Sequence, residues 1–405
     1  MIKRVRTENL QPGNFIHDFN CGWNGGNIFI DQTLIADKKM IDIIRSWGIK
    51  EVYIDTERGR DIDTDQSSGR QPELRQVTPP QPSNQPEKHP APPSVPLAVE
   101  VKRAKKLRSD AVKIVRHTLK QVEEGKTPDV GLTYELARRM RASISRNRDA
   151  LLLLTRIRKK DEYTLYHSIS VSSLVLDMCN FKGLPEKRAL DMAVGALFHD
   201  IGKTKVPHTI LNKPAKLTAI EFHEMKKHVE YSVDLLQNAH NLPFECYDIA
   251  LHHHEHYDGE GYPHGLKGEK ISMGAQLTAI CDVFDAITST RCYREGLGTV
   301  TGLKRIYELS DNHFNKDLTH EFIRCIGVYP VGSCVKLEDR KVGIVVGSTE
   351  NILQPIVKVF YDGKRNEKIS PFLLDLSKSG TSITSYEEPG RIGVKPSSLL
   401  SEMVA

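Results

Sequence analysis

Long apolar runs are missing from this 405-residue chain. A membrane-spanning helix needs ~18 or more uninterrupted apolar residues, and the cluster Leu151–Leu154 falls far short. No apolar core follows the basic start MIKRVRTENLQPG, so it does not read as a signal sequence. The seven cysteines (Cys21, Cys179, Cys246, Cys281, Cys292, Cys325 and Cys334) form no CxxC pair. An odd, dispersed set of this kind reads as reduced, mostly buried thiols in a cytoplasm rather than a disulfide framework. Strong charge of one sign is also lacking. The net charge is +5, too small to indicate a DNA or RNA polymer as partner. There is no internal repeat. The expectation is a soluble, cytoplasmic protein of two or three domains.

Residues 1–60 read as a small α+β domain. Short strands are expected at Asn14–Asp18, Gly26–Ile30 and Glu51–Asp55, with a helix from Asp37 to Trp47 closed by Gly48. Residues 61–97 are rich in Pro, Gln, Ser and Asp and cannot bury enough surface to order themselves, so they read as a linker. Residues 98–328 read as a helical domain with its preceding helices, the pattern being almost entirely helical over 160–328 apart from polar loops at Gly202–Lys213 and Asp258–Lys270. One amphipathic helix runs from Leu97 through Val122 and is broken at Gly125–Pro128. A second starts near Thr133 and carries Leu136, Met140, Ile144 and Leu151–Leu154. From Tyr329 the texture changes to alternation, predicting a β-rich extension over 329–405. The fold class is therefore mainly α, with a small α+β N-terminal domain and a short β-rich C-terminal appendage.

Most of the sixteen histidines fall between His167 and His264, far too many for all to be ligands. The buried-looking helical stretch Leu190, Ala193, Val194, Leu197, Phe198 ends at His199-Asp200. Imidazole offers a neutral nitrogen, and a carboxylate can bridge two cations while offsetting their charge. An HD pair alone is weak. It gains weight from the Ile201-Gly202-Lys203 that follows, from His228 on one amphipathic helix with Met225, Val229, Val233 and Leu236, and from the run HHHEHYDGEGYPHG beginning at His252. Asp282 and Asp285 then lie in an apolar helical run.

HDIGK, a later isolated histidine, HHExxDGxGYP and an aspartate within an apolar helix together resemble the HD-GYP family. This is the branch of the HD metal-dependent phosphohydrolases that hydrolyses cyclic dinucleotides. The resemblance covers about residues 160–300, and the first segment is similar to the small N-terminal domain of unassigned function that often precedes such modules. The resemblance implies an HD-type helical catalytic domain with two divalent metal ions, iron first and manganese or another transition metal after it. One ion would take His167, His199, Asp200 and Asp282. The other would take Asp200 as a bridge with His228, His253 and His254. Lys203 matches the family lysine near the scissile phosphate, which gives Asp200 and Lys203 the catalytic roles. Arg291 and Arg294 match the basic pair that grips substrate phosphates, together with Lys203.

Three positions depart from the family pattern. Tyr163 stands where some members carry a glutamate for a third metal, which favours two metals, although Glu162 is close by. Cys292 replaces the proline of the usual RPYR. His252 makes a triple histidine, but Glu255 and the DGxGYP spacing set the ligand pair at His253-His254. His208, His223, His240, His256 and His264 have no counterpart as ligands and read as structural or surface residues. His252 reads as lying beside the site or exposed, Asp285 as orienting a ligand, and Glu255 as evenly balanced between that role and local hydrogen bonding. The implied activity is two-metal hydrolysis of cyclic di-GMP to linear pGpG, with a further step to GMP left open. Two alternatives stand beside it: 3′,3′-cyclic GMP-AMP as substrate, and a cyclic-dinucleotide sensor or interaction module with little turnover. A homodimer or a signalling-protein partner is left open.

Overall fold

The computed structural model describes residues 2–18, 33–34, 38, 41, 51–61, 94–155, 163–213, 215–237, 239, 242–289, 298–310, 312–349, 351 and 353–387. The chain divides into two compact units, Met1–Lys88 with His208–Phe222, and His89–Pro207 with His223–Ala405.

The first unit contains a four-stranded sheet of β1 (Ile2–Arg6), β2 (Phe15–Asp18), β3 (Thr33–Leu34) and β4 (Glu51–Asp55), in the order β1-β4-β2-β3. Strand β4 buries Val52 and Ile54 and leaves Glu51, Tyr53 and Asp55 half-buried, the period of two that puts alternate side chains on one face. The expected strand at Gly26–Ile30 lies outside the described residues. So does most of the expected helix Asp37–Trp47 and of the linker 61–97.

The second unit is built around α1 (Leu97–Glu123), α2 (Val130–Arg146), α3 (Arg148–Thr155), α4 (Tyr163–Lys182) and α5 (Glu186–Phe198). After α6 (Ala219–Lys226), whose residues up to Phe222 belong to the first unit, come α7 (His228–Gln237), α8 (Phe244–His252), α9 (Met273–Thr288), α10 (Thr299–Glu308) and α11 (Lys316–Ile326). Helix α4 is central: it packs on α2, α3, α5 and α9 and is buried continuously from Leu165 to Cys179. Its serines therefore need internal partners. Ser172 Oγ donates to Ala193 O at 2.9 Å and Ser173 Oγ to Ile169 O at 2.7 Å.

The expected single helix from Thr133 through Leu154 is two helices. Asn147 is extended (φ −160°, ψ 103°) and divides α2 from α3. Its side chain donates to Val95 O at 2.9 Å and accepts from the Asp149 N–H at 3.1 Å, so the break is held by polar contacts rather than by glycine or proline. A second break, at Lys227, makes His228 the first residue of α7 and leaves Met225 on α6.

The C-terminal strands β5 (Cys334–Leu337), β6 (Lys341–Gly347), β7 (Ile356–Asp362), β8 (Glu367–Asp375) and β9 (Ile383–Tyr386) form an antiparallel sheet in the order β8-β7-β6-β5-β9. It has a core of its own, from Val335, Leu337, Val345, Val357, Val359 and Leu376. Asp149 of α3 ties this sheet to the helices, accepting the Ser348 N–H at 2.6 Å and its hydroxyl at 3.0 Å. Among the described residues no helix is long and apolar enough to cross a membrane.

Candidate metal centre

Helix α5 buries every residue from Ala189 to Phe198 and delivers His199 and Asp200 to the interior at its end. The chain then tightens into a 3-10 turn, Ile201–Lys205. A Cβ on Gly202 would lie 2.0 Å from the His228 carbonyl oxygen and 2.4 Å from the Ser232 nitrogen, so only glycine lets this turn press against the start of α7. The Gly202 N–H donates to Ser232 Oγ at 2.8 Å and fixes that approach. It brings His228 to the same carboxylate as His199.

Asp200 stands at the middle. Its Oδ2 lies 3.2 Å from His199 Nε2 and 3.8 Å from His167 Nε2, while its Oδ1 lies 3.4 Å from His228 Nε2 and 3.8 Å from His253 Nε2. The two oxygens thus face two different groups. One comprises His167, His199 and Asp282; the other comprises Asp200 with His228, His253 and His254. Within each group one donor atom per residue lies within 4.8 Å of the rest. All seven side chains are buried. His167 Nε2 is 3.0 Å from Asp282 Oδ1.

The rings are oriented from behind. His199 Nδ1 is 2.8 Å from Ala196 O, His228 Nδ1 is 2.7 Å from Met225 O, and His253 Nδ1 is 3.1 Å from both Ile249 O and Ala250 O. Carbonyls only accept, so these Nδ1 atoms carry the protons and each Nε2 keeps its lone pair for the interior. His167 Nδ1 lies 2.7 Å from Asp285 Oδ2, and the other Asp285 oxygen accepts the Ser170 hydroxyl. Asp285 therefore holds the His167 ring in place. Ser170 was not legible as part of the site; its one signal is its place a turn after His167 on α4.

The donor set suits a bound metal. The Nε2 atoms of His199, His228, His253 and His254, and Oδ1 of Asp200 and Asp282, are buried with no hydrogen-bond partner among the described residues. Buried polar atoms left unmatched cost about 1–3 kcal/mol each, and six of them converging on one volume is the pattern a cation would resolve. Burial drives His228 down to about 3 and His254 well below the ordinary histidine range, so both present neutral nitrogens near pH 7. Burial acts to raise Asp200, but His199 and Lys203 outweigh it and hold the carboxyl well below its usual range. Lys203 Nζ donates to Asp200 Oδ2 at 2.6 Å from a buried position.

The loop after His254 forms one wall. The Tyr262 ring stacks on His254 at 4.8 Å between centroids, and the Tyr262 N–H donates to His254 O at 3.1 Å. The Tyr262–Pro263 bond is cis. A Cβ on Gly261 would come within 2.2 Å of the His256 nitrogen, which explains the glycine of the GYP turn. Glu255 accepts the backbone N–H groups of His264 and Leu266 at 2.7 and 2.9 Å, so it braces this loop instead of reaching the cluster. His208 and His223 are exposed, and His256 packs on His313 with centroids 3.5 Å apart. His240, Glu162, Arg291, Cys292 and Arg294 lie outside the described residues.

Comparison with known proteins agrees with this geometry. Residues 135–318 match the HD domain, and residues 2–132 match a domain of unknown function (DUF3391). The fold and the paired His/Asp groups define an HD-domain protein. More narrowly, the chain belongs to the HD-GYP family. It is 33% identical over 388 residues to a cyclic di-GMP phosphodiesterase of Pseudomonas aeruginosa, covering 94% of this chain and 90% of that one. It is 36% identical over 192 residues to a cyclic di-GMP phosphodiesterase response regulator of Xanthomonas campestris pv. campestris, covering 46% and 50%. It is 34% identical over 169 residues to a 3′3′-cGAMP-specific phosphodiesterase of Vibrio cholerae, covering 41% and 32%.

Proposed function

We propose that this protein is a metal-dependent phosphodiesterase that hydrolyses cyclic di-GMP to linear pGpG and onward to GMP. The observation that carries the reading is the convergence of unmatched, buried donor atoms on the two sides of Asp200. His167, His199, Asp200 and Asp282 would hold one divalent ion, and Asp200, His228, His253 and His254 the other. A donor set of histidines and carboxylates without thiolate suits iron or manganese, with iron the first choice. Ions bound there would polarise the phosphoryl group and supply an activated water at neutral pH.

The chain's own residues do the rest. Asp285 and the backbone carbonyls hold the imidazoles in one tautomer. Lys203, paired with Asp200, would stand beside the reacting phosphate. Arg291 and Arg294 would grip the other phosphate oxygens. Tyr262 walls off the His254 side, and its phenol stays protonated because burial and the carboxylates of Asp200 and Asp282 push it up. Residues 1–60 act as a regulatory domain and 61–97 as the linker to a cytoplasmic catalytic domain over 98–328, with 329–405 as an extension.

The similarity to a 3′3′-cGAMP-specific enzyme supports a second substrate on the same site. Metal-loaded protein, purified without oxygen, is given each cyclic dinucleotide and its products are followed by chromatography. Cyclic di-GMP should be opened to pGpG, and His199→Ala should lose at least about 100-fold, since activation by metal is worth several kcal/mol and 1.36 kcal/mol is tenfold. Faster cleavage of cyclic GMP-AMP would reassign the substrate. Tight binding of either nucleotide without cleavage would make the protein a sensor and end the enzymatic reading.

A further inference from the structure

Two histidines that the metal centre does not use meet on the far side of the GYP loop. His252, the last residue of α8, turns away from His253, and its Nε2 lies 3.1 Å from Nδ1 of His264. The Glu255 carboxylate completes a group whose donor atoms all lie within 4.8 Å of one another. We propose that His252, Glu255 and His264 form a third, mononuclear metal site, suited to zinc, which staples the GYP loop to the end of α8.

The chemistry of each donor fits. His252 Nδ1 is 2.8 Å from Asp248 Oδ1, so the carboxylate takes that N–H and the Nε2 lone pair faces His264. Asp248 is itself held by the hydroxyl of Ser272, the N-cap of α9. A carboxylate behind a histidine is the arrangement that orients and strengthens a zinc-binding imidazole. Glu255 uses one lone pair on each oxygen for the backbone N–H groups of His264 and Leu266, and a carboxylate has about four such positions in all. One oxygen therefore retains capacity for a cation.

Distance favours a shared ion as well. Zn–N bonds of about 2.0–2.1 Å at a tetrahedral angle put two ligand nitrogens roughly 3.3–3.4 Å apart, close to the 3.1 Å separation found. Two imidazoles and one carboxylate are a borderline donor set that selects zinc over magnesium or calcium. His264 is exposed, so water can fill a fourth position. The segment joining Glu255 to His264 carries Tyr262, which stacks on His254. Zinc at this site would thus set the wall of the neighbouring centre without sharing a ligand with it.

Zinc bound per chain is counted after equilibrium dialysis of the full-length protein, its His264→Ala and His264→Cys variants, and His199→Ala. His264→Ala should bind one equivalent less than the unaltered protein, and His264→Cys, whose thiolate can replace the imidazole, should recover it. Hydrogen exchange at the Leu266 amide should quicken in His264→Ala and return to the original rate in His264→Cys. His199→Ala should lower the count at the larger centre while the equivalent that depends on His264 persists, which separates this site from that one. A full zinc complement in His264→Ala overturns the proposal and leaves a direct hydrogen bond between the rings. Equal depletion in both His264 variants overturns it too, because the loss then follows from damage to the loop.

Discussion

Asp285 is the side chain through which the proposed centre is most easily probed without touching a donor. It accepts from His167 Nδ1 on one oxygen and from the Ser170 hydroxyl on the other, all three side chains being buried. Asn at this position keeps the shape but removes the negative charge behind His167 and leaves one acceptor oxygen where there were two, so the hold on the ring weakens. Loss of such a supporting group costs 10–100-fold in metal affinity as a rule. Asp285→Asn should therefore weaken retention of the ion on the His167 side by about that factor, while far-ultraviolet dichroism stays unchanged. Metal per chain after dialysis against a graded chelator measures it, and an undiminished affinity would show that His167 needs no such partner. Of the seven clustered side chains, His199, Asp200, His253 and His254 sit in recognisable strings, whereas His167, His228 and Asp282 are isolated and only the family resemblance pointed to them. Ser170 and Ser232 were not legible, since a serine one turn from a ligand has no distinctive spacing and gains its meaning only when another helix arrives beside it.

Elements were legible where period and apolar content agreed, and illegible where a single polar contact decides. Helix α1 ends at Glu123, just before the break expected at Gly125. The division of α2 from α3 escaped the periodicity because Asn147 is only a mild helix breaker, and its partner Val95 is 52 residues away in sequence. The same corner holds Glu100, whose side chain is fully buried and accepts from Arg146 at 2.7 and 2.8 Å and from Ser143 Oγ at 2.8 Å. Burial acts to raise its carboxyl, but Arg146 and Ser143 outweigh this and hold it below the ordinary value of 4.5. A carboxyl lowered on folding adds stability above its unfolded pKa and loses it as pH falls through the folded one. Breaking a buried pair costs about 3–5 kcal/mol, and the partial exposure of Arg146 reduces that to roughly 1–3 kcal/mol. Glu100→Gln should lower the urea midpoint accordingly at pH 7, and the gap to the unaltered protein should close as pH drops below about 4.5. A gap independent of pH would remove the ion pair from the explanation.

At the scale of the whole molecule, the proposed donors come from α4, the end of α5, the start of α7, the end of α8, and α9, so two ions would tie together elements that span His167 to Asp282. The described C-terminal sheet is different. It closes its own apolar core and meets the helices through the Asp149–Ser348 contact. The sequence pattern showed the change of texture at Tyr329 but carried no sign of this joint, which depends on two residues 199 positions apart. Stripping the metal should therefore act unevenly. A ligand at 100 times its Kd adds about 2.7 kcal/mol to the state that binds it, and its removal also leaves the facing Nε2 and Oδ1 atoms unmatched. Amide exchange across α4, α5 and α9 should accelerate in chelator-treated protein, while protection in β6 and β7 falls much less. His199→Ala, already deprived of one donor, should show a smaller response to the chelator. Equal acceleration in helices and sheet would mean that the two parts unfold as one body, and no acceleration anywhere would mean that the cluster contributes nothing to stability through bound metal.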